Sequence, residues 1–285
     1  MNKTYKKTSY SLNCNGVLLN LDTPKIMGIL NVTPDSFYDG GRFNATDTAL
    51  QRVEKMLEDG ADIIDVGGMS SRPGAPIIPV EDELKRVIPI IEEIKKHFPE
   101  TIISIDTLQS KVAREAIAVG ASIINDISAG TIDPKIFEVA AELNVPYILM
   151  HMQGKPKSMQ DSPTYENICL DLIDFFQEKL NHLKKIGIND LIIDVGFGFG
   201  KTVEHNYQLL DNLNEFKILD KPMLVGVSRK SMIWKVLKSN PEQALNGTTV
   251  VHTLALLKGA NILRVHDIKE AKECIKIIQH FNLNI

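Results

Sequence analysis

Asp106 and Asp194 each stand where a short apolar run ends abruptly, and Lys230 closes a third such run. Two carboxylates and one cation converging on a single cavity can bind the edge of a flat heterocycle. The carboxylates accept from adjacent N–H donors and the ammonium donates to a ring carbonyl. Each group also has an ordinary role: a strand-end aspartate caps a helix or accepts in a turn, and a strand-end lysine makes a rim salt bridge. Those ordinary roles suit Asp65 and Asp126 best, and a rim salt bridge stays open for Lys230. Basic groups gather in similar places, since Arg72, Arg229, Lys230, Arg264 and His266 all fall at the ends of apolar runs. A chain of formal charge −4 with a locally basic mouth suits a small anionic substrate.

Eight elements must bring these groups together. The runs and their endings are Ile26–Leu30 into Asn31, Ile63–Val66 into Gly67-Gly68 and Ser71-Arg72, Ile102–Ile105 into Asp106, and Ile123–Ile124 into Asn125-Asp126. The others are Tyr147–Met150 into His151, Leu191–Ile193 into Asp194, Met223–Val227 into Ser228-Arg229-Lys230, and Ile262–Leu263 into Arg264-Val265-His266. Segments of helical period follow at about 46–59, 81–97, 110–119, 134–143, 167–186, 204–216, 231–238 with 242–258, and 267–281. Strand then helix, repeated eight times, is the pattern of an α/β (β/α)8 TIM barrel, whose chemistry sits at the C-terminal ends of the strands. Residues about 9–20 read as a β-hairpin turning at Asn13–Gly16, placed to plug the barrel bottom. Asp267, followed three residues later by Glu270, reads as a capping-box start and hence as structural. Three connections are long: Asn31–Thr46, Gly67–Glu81 and Met152–Glu166. All are rich in Gly, Pro and Ser, as lids and binding loops are.

The 285 residues sit near the ~250 of one such barrel, so residues 1–23 read as an N-terminal hairpin segment and 24–285 as one catalytic domain. No composition break or linker divides the chain. The apolar runs are too short to span a bilayer, and no signal-peptide stretch opens the sequence. Cys14, Cys169 and Cys274 show no disulfide or metal spacing, which fits a reducing cytoplasm. No basic block marks a nucleic-acid partner. The segment Gly196–Thr202 misses the P-loop because Val195 stands where a glycine is needed, and misses the dinucleotide fingerprint because Lys201 does. It reads instead as a strand-to-helix loop allowing close approach of a flat ligand, with Phe197 or Phe199 as a packing face and Lys201 solvated. The histidines show no zinc pattern, and no Gly-x-Ser-x-Gly elbow is present. For His151, rim hydrogen bonding and a site role both stay open.

The segments Met27-Gly-Ile-Leu-Asn-Val-Thr-Pro-Asp-Ser-Phe37-Tyr-Asp-Gly-Gly41 and Asp65-Val-Gly-Gly-Met-Ser-Ser-Arg-Pro-Gly-Ala75 carry a more specific signal. Further segments are Ser104-Ile-Asp-Thr107, Ile124-Asn-Asp126, Leu149-Met-His-Met-Gln-Gly154, Asp194–Lys201, Gly226-Val-Ser-Arg-Lys230 and Arg264-Val-His266. From about residue 24 onward the chain resembles the bacterial dihydropteroate synthases, pterin-binding TIM barrels of folate biosynthesis and the target of sulfonamides. The resemblance implies a transferase, usually a homodimer, that condenses 6-hydroxymethyl-7,8-dihydropterin diphosphate with 4-aminobenzoate to give 7,8-dihydropteroate and diphosphate. It implies that Asp106, Asn125, Asp194 and Lys230 hold the pterin, with Met150 and Phe199 packing near it. It further implies that Asn31 serves a Mg²⁺ site, Arg264 and His266 bind the diphosphate, and Ser228 receives aminobenzoate. Ser71 and Arg72 would belong to a mobile second loop, while the loop carrying Thr33–Phe37 closes over the reacting centre. One departure is clear: where the family commonly reads Gly-Gly-Glu-Ser-Thr-Arg, this chain has Met69 and Ser71. The hydroxyl survives and a carboxylate is lost.

Residues and resemblance agree on an electrostatic mechanism, and the resemblance implies that its first step is dissociative and SN1-like. Asp106, Asp194 and Lys230 are its catalytic candidates, with Asp106 and Asp194 favouring the pterin cation over the neutral ground state. Two other readings stay open. A pterin-barrel methyltransferase acting on methyltetrahydrofolate would share the carboxylates but has less use for Arg264 and His266. Against a catalytically silent pterin-binding barrel stand Lys230, Arg264, His266 and the long first loop.

Overall fold

The computed structural model describes residues 9–33, 42–69, 76–154 and 163–281. Strands β1 (Ser11–Cys14) and β2 (Val17–Asn20) form an antiparallel hairpin turning at Asn15-Gly16, with Leu12 opposite Leu19. Eight parallel strands follow: β3 (Lys25–Asn31), β4 (Ile63–Gly67), β5 (Ile102–Asp106), β6 (Ile123–Asp126), β7 (Tyr147–Met150), β8 (Leu191–Asp194), β9 (Met223–Val225) and β10 (Ile262–Val265). They close into a barrel in chain order, with β10 pairing to both β9 and β3. The helices are α1 (Arg42–Glu58), α2 (Val80–His97), α3 (Ser110–Ala118), α4 (Lys135–Leu143), α5 (Ile168–Lys185), α6 (Val203–Asp211), α7 (Ser231–Trp234), α8 (Leu245–Leu257) and α9 (Ile268–His280). The expected (β/α)8 TIM barrel with an N-terminal hairpin is the fold observed.

Strand alternation divides the side chains into two cores. One set, including Ile26, Leu30, Ile64, Val66, Ile103, Ile105, Leu149 and Ile193, packs outward against the helices. The other set floors the barrel: Met27, Ile63, Ile123, Ile148, Ile192, Leu224 and Ile262, with Ile102 beside them. Leu12, Cys14, Leu19 and Leu21 of the hairpin segment complete that floor, each leucine contributing roughly 1.5–3 kcal/mol by burial. Asn13 N donates to Asp190 Oδ2 (2.7 Å) and Tyr10 Oη to Asp220 Oδ1 (3.3 Å), which pins the plug to the loops before β8 and β9. The bottom is therefore sealed and apolar, leaving only the opposite end for chemistry.

Three local expectations are corrected. The helix expected at about 204–216 stops at Asp211 and continues as a 3-10 segment, Leu213–Leu219, while that expected at 231–238 reduces to Ser231–Trp234. Asp267 occupies the position before α9 but makes no side-chain cap bond. Its two oxygens instead accept from Arg229 Nε and Nη2, each at 2.8 Å, because a paired guanidinium–carboxylate contact outweighs a single bond to a backbone N–H. The capping box lies at Thr202 and His205 on α6. A Glu/Gln rule does not detect it, because histidine stands at the third position.

Candidate active site

Alternation also builds the site. Two residues beyond the floor positions, the same inward faces carry Ile29, Asp65, Ser104, Asn125, Met150, Asp194, Gly226 and Arg264. At the rim, Asn31, Gly67, Asp106 and Asn125 are in register across four neighbouring strands. An apolar floor thus changes within one pleat to a polar layer.

Arg264 sits at the centre of that layer. Its Nε donates to Asp65 Oδ2 and its Nη2 to Asp106 Oδ2, both at 2.6 Å, in a cluster almost wholly removed from water. Asp65 also accepts from Asn125 Nδ2 at 3.2 Å. Burial pushes the Asp106 carboxyl up to about 7, with Arg264 opposing the rise and the Asp65, Glu83 and Asp126 carboxylates adding to it. Burial disfavours the Arg264 charge, but Asp65 and Asp106 outweigh it and hold the guanidinium above its ordinary range. The cap or turn role expected of Asp65 is thereby corrected: its structural role is to anchor the arginine and the asparagine. Its signal was the two-residue spacing from Ile63, which turns both side chains inward.

Asp194 lies across the barrel. Its Oδ1 accepts from Gly196 N (2.8 Å), and burial raises its pKa against the pull of Lys230, that N–H, Arg264 and Lys201. Lys230 Nζ donates to Phe197 O (2.6 Å) and stands 4.5 Å from the centre of the Phe199 ring. Burial lowers its pKa to about 8, opposed chiefly by Asp194. Phe199 packs with Leu108, Ile127 and Met150, and Met69, Ile132 and Met152 border this cluster. Met69, this chain's departure from the family pattern, is therefore an apolar neighbour at the mouth. Phe197 belongs to the outer core and is not a ligand face.

Ser228 and His266 are partners. Ser228 Oγ accepts from His266 N (3.2 Å) and lies 3.1 Å from Nδ1. Burial first, then the Arg264 charge, lowers the His266 pKa to about 4, so at neutral pH it offers a neutral imidazole. Arg229 is not a mouth cation: besides Asp267 it donates to the carbonyls of Pro241 and Glu242. Asp126 is structural as expected, accepting from Ser128 N, Ser128 Oγ, Gly130 N and Tyr147 Oη. His151 is buried, its ring edge-on to Phe175 at 4.9 Å, and burial with the Lys201 charge lowers its pKa to about 3. Lys201 is not solvated: it is 3% exposed, and burial lowers its pKa to about 7 against the pull of Asp194. Asn31 stands half-buried at the rim. Ser71, Arg72 and the 34–37 part of the first loop lie outside the described residues.

Fold and site together define a TIM barrel whose C-terminal mouth sets a buried charged cluster across from an apolar one. A family model described as "Pterin binding enzyme" matches residues 27–266. The dihydropteroate synthase of Haemophilus influenzae is 48% identical over 270 residues, covering 94% of this chain and 98% of that protein. The Yersinia pestis dihydropteroate synthase, solved with a sulfonamide drug complex, superposes with a TM-score of 0.89 at 44% identity, covering 95% of this chain and 98% of that one. The Xanthomonas albilineans dihydropteroate synthase, solved with 4-aminobenzoic acid, gives 0.89 at 41% identity, covering 96% and 98%. The chain belongs to the dihydropteroate synthase family of pterin-binding transferases.

Proposed function

We propose that this chain joins 6-hydroxymethyl-7,8-dihydropterin diphosphate to 4-aminobenzoate, forming 7,8-dihydropteroate and diphosphate. One observation carries the reading: Arg264, an anion-binding group, is bonded directly to Asp106, an acceptor for ring N–H donors. A ligand with a donor-rich ring and a diphosphate tail would be met by both members of this pair. Asp106 and Asp194 receive the ring N–H edge, Asn125 and Lys230 supply donors, and Met150 and Phe199 cover a face. Asp106, Asp194 and Lys230 are the catalytic residues of the reading. As the methylene C–O bond breaks, its electron pair leaves with the diphosphate, and positive charge spreads into the ring. Asp106 and Asp194, already desolvated, stabilise that charge more than the neutral ground state. Arg264 and a neutral His266 N–H receive the developing anion. The arylamine lone pair then forms the N–C bond beside Ser228, and its proton passes to solvent or to the released diphosphate. Ser71 and Arg72 are assigned to the aminobenzoate side by resemblance.

Among the described residues, no cluster of three or more His, Cys, Asp or Glu could hold a metal. Mg²⁺ keeps several waters and binds through one or two protein oxygens plus substrate phosphates, so the single Asn31 side-chain oxygen at the rim is a donor set that fits it. Bound there, the ion would supply positive charge to the departing diphosphate.

The test is direct. The purified protein is given the pterin diphosphate, 4-aminobenzoate and Mg²⁺, and dihydropteroate is sought by mass spectrometry. Methyl transfer from methyltetrahydrofolate, or pterin binding without product, would reject the reading in favour of the methyltransferase or the silent barrel.

A homodimer through α8 and α9 is part of the proposal. The two helices pack together, and α8 has no charged residue in its 13 positions. Val250, Leu254 and Leu257 on α8 are exposed, as are Ile277 on α9 and Phe281 just beyond it. Val250, Leu254 and Leu257 recur at i, i+4 and i+7, so they share one helix face, and an exposed apolar face marks an interaction site. Leu254→Glu is expected to give a monomer in sedimentation velocity at a concentration where the parent protein is a dimer, whereas an undisturbed dimer rejects this face. No helix among the described residues is long and apolar enough to cross a membrane. The three cysteines are buried and unpaired, which supports a cytoplasmic location.

A further inference from the structure

Side chains hold the glycine-rich loop after β8 peptide by peptide. Asp194 Oδ1 accepts from Gly196 N, and Asn206 Oδ1 from Gly198 N at 2.7 Å. Lys230 Nζ donates to Phe197 O, Lys201 Nζ to Phe199 O at 2.9 Å, and Tyr165 Oη to Gly200 O at 2.8 Å. Lys201, itself part of the loop, also reaches the residue that follows β7. Its Nζ donates to His151 O at 3.3 Å and lies 3.1 Å from His151 Nδ1. With His151 neutral, Nδ1 accepts and the imidazole proton resides on Nε2. Three donors thus meet three acceptors, which is the condition for burying an ammonium at tolerable cost. None is left for a phosphate. The two loops also touch closely: a Cβ at Gly196 would collide with the His151 carbonyl, and one at Gly200 with the Gln153 carbonyl. Lys201 is a side-chain tie across that seam.

We infer that Lys201 is a positioning residue for the ring substrate. By fixing the Phe199 carbonyl to the end of β7, it sets the Phe199 ring against Met150 and beneath Lys230, and so sets the width of the slot. The inference rests on the pterin reading given above. Because all the donors of Lys201 are spent on carbonyls and an imidazole, its effect falls on ring binding and not on the bond being broken. Ground state and transition state lose equally when such a group is removed.

Lys201→Met keeps most of the side-chain volume and removes the donors. Its KM for the pterin diphosphate is expected to rise ~10-fold or more, as for loss of hydrogen bonds from a charged group, with kcat held within about threefold and KM for aminobenzoate unchanged. Calorimetry with the free pterin alcohol should show the same loss. An unchanged pterin KM overturns the inference, and so does a fall in kcat at constant KM. Should circular dichroism show that Lys201→Met does not fold, Lys201→Gln decides. It keeps a shorter amide donor and should raise the pterin KM about threefold or more, and no rise counts against the tie. If the parent protein fails to bind the pterin alcohol, the functional reading falls and the inference with it. That result is distinct from a parent and a variant that bind equally well.

Discussion

Asp106→Asn is expected to lower kcat by roughly two to three orders of magnitude, about 3 kcal/mol in the barrier, with little change in fold. The amide preserves shape and one acceptor oxygen, so the ring can still dock. It lacks the charge that faces a cation growing in the transition state, and that charge acts in a desolvated place where the nearest positive group is Arg264. The parent enzyme should also show an acid limb in kcat/KM near pH 7, because burial lifts the Asp106 carboxyl to about 7 and its protonated form cannot stabilise the cation. Activity tied to this group is present above that pH and lost below it. The variant should lack that limb. Near-normal turnover in Asp106→Asn, measured with saturating substrates, would remove Asp106 from the catalytic set.

Arg264→Ala should be costly in two separable ways. It leaves the Asp65 and Asp106 carboxylates buried without their shared cation, and breaking a buried pair in this way destabilises by about 3–5 kcal/mol. Urea unfolding reads that loss, and adding Asp65→Asn should recover much of it by removing one unpaired charge. The second cost concerns the ligand. Calorimetry should show the diphosphate-bearing pterin weakened far more than the free pterin alcohol, and the added Asp65→Asn should not restore it. Equal losses for the two ligands would show that Arg264 does not read the phosphates.

The two experiments probe one contact, which marks the limit of what the linear pattern could convey. The ends of the apolar runs named Asp106, Asp194, Lys230 and Arg264 as candidates, because strand alternation and the barrel rule are local and repetitive. His266 was named by the same endings and Phe199 by the glycine-rich loop, while sequence resemblance gave roles to Asn125, Met150 and Ser228. Asp65 was misread because a strand-end aspartate has a cheap local use as a cap. Its true partner is 199 residues away in sequence, a distance over which spacing carries no signal. Lys201 was misread for a similar reason. A lysine in a glycine-rich loop is ordinarily solvated, and only the neighbouring β7 end supplies the acceptors that allow its burial. Arg229 erred in the other direction, since its ion pair with Asp267 depends on how β9 and β10 meet.

By itself, then, the sequence determined the number and order of strands, the plugging hairpin and the level at which polar groups appear. Each follows from a period of two along a strand, or from an apolar run of a given length. Tertiary structure alone decided which charges meet: Arg264 with Asp65 and Asp106, Lys230 over Phe199, Ser228 with His266, and Lys201 with His151. Closure of the barrel sets those distances, and the loss of water inside it sets the protonation of each group. The cost of burying a charge depends on partners that a linear pattern does not name.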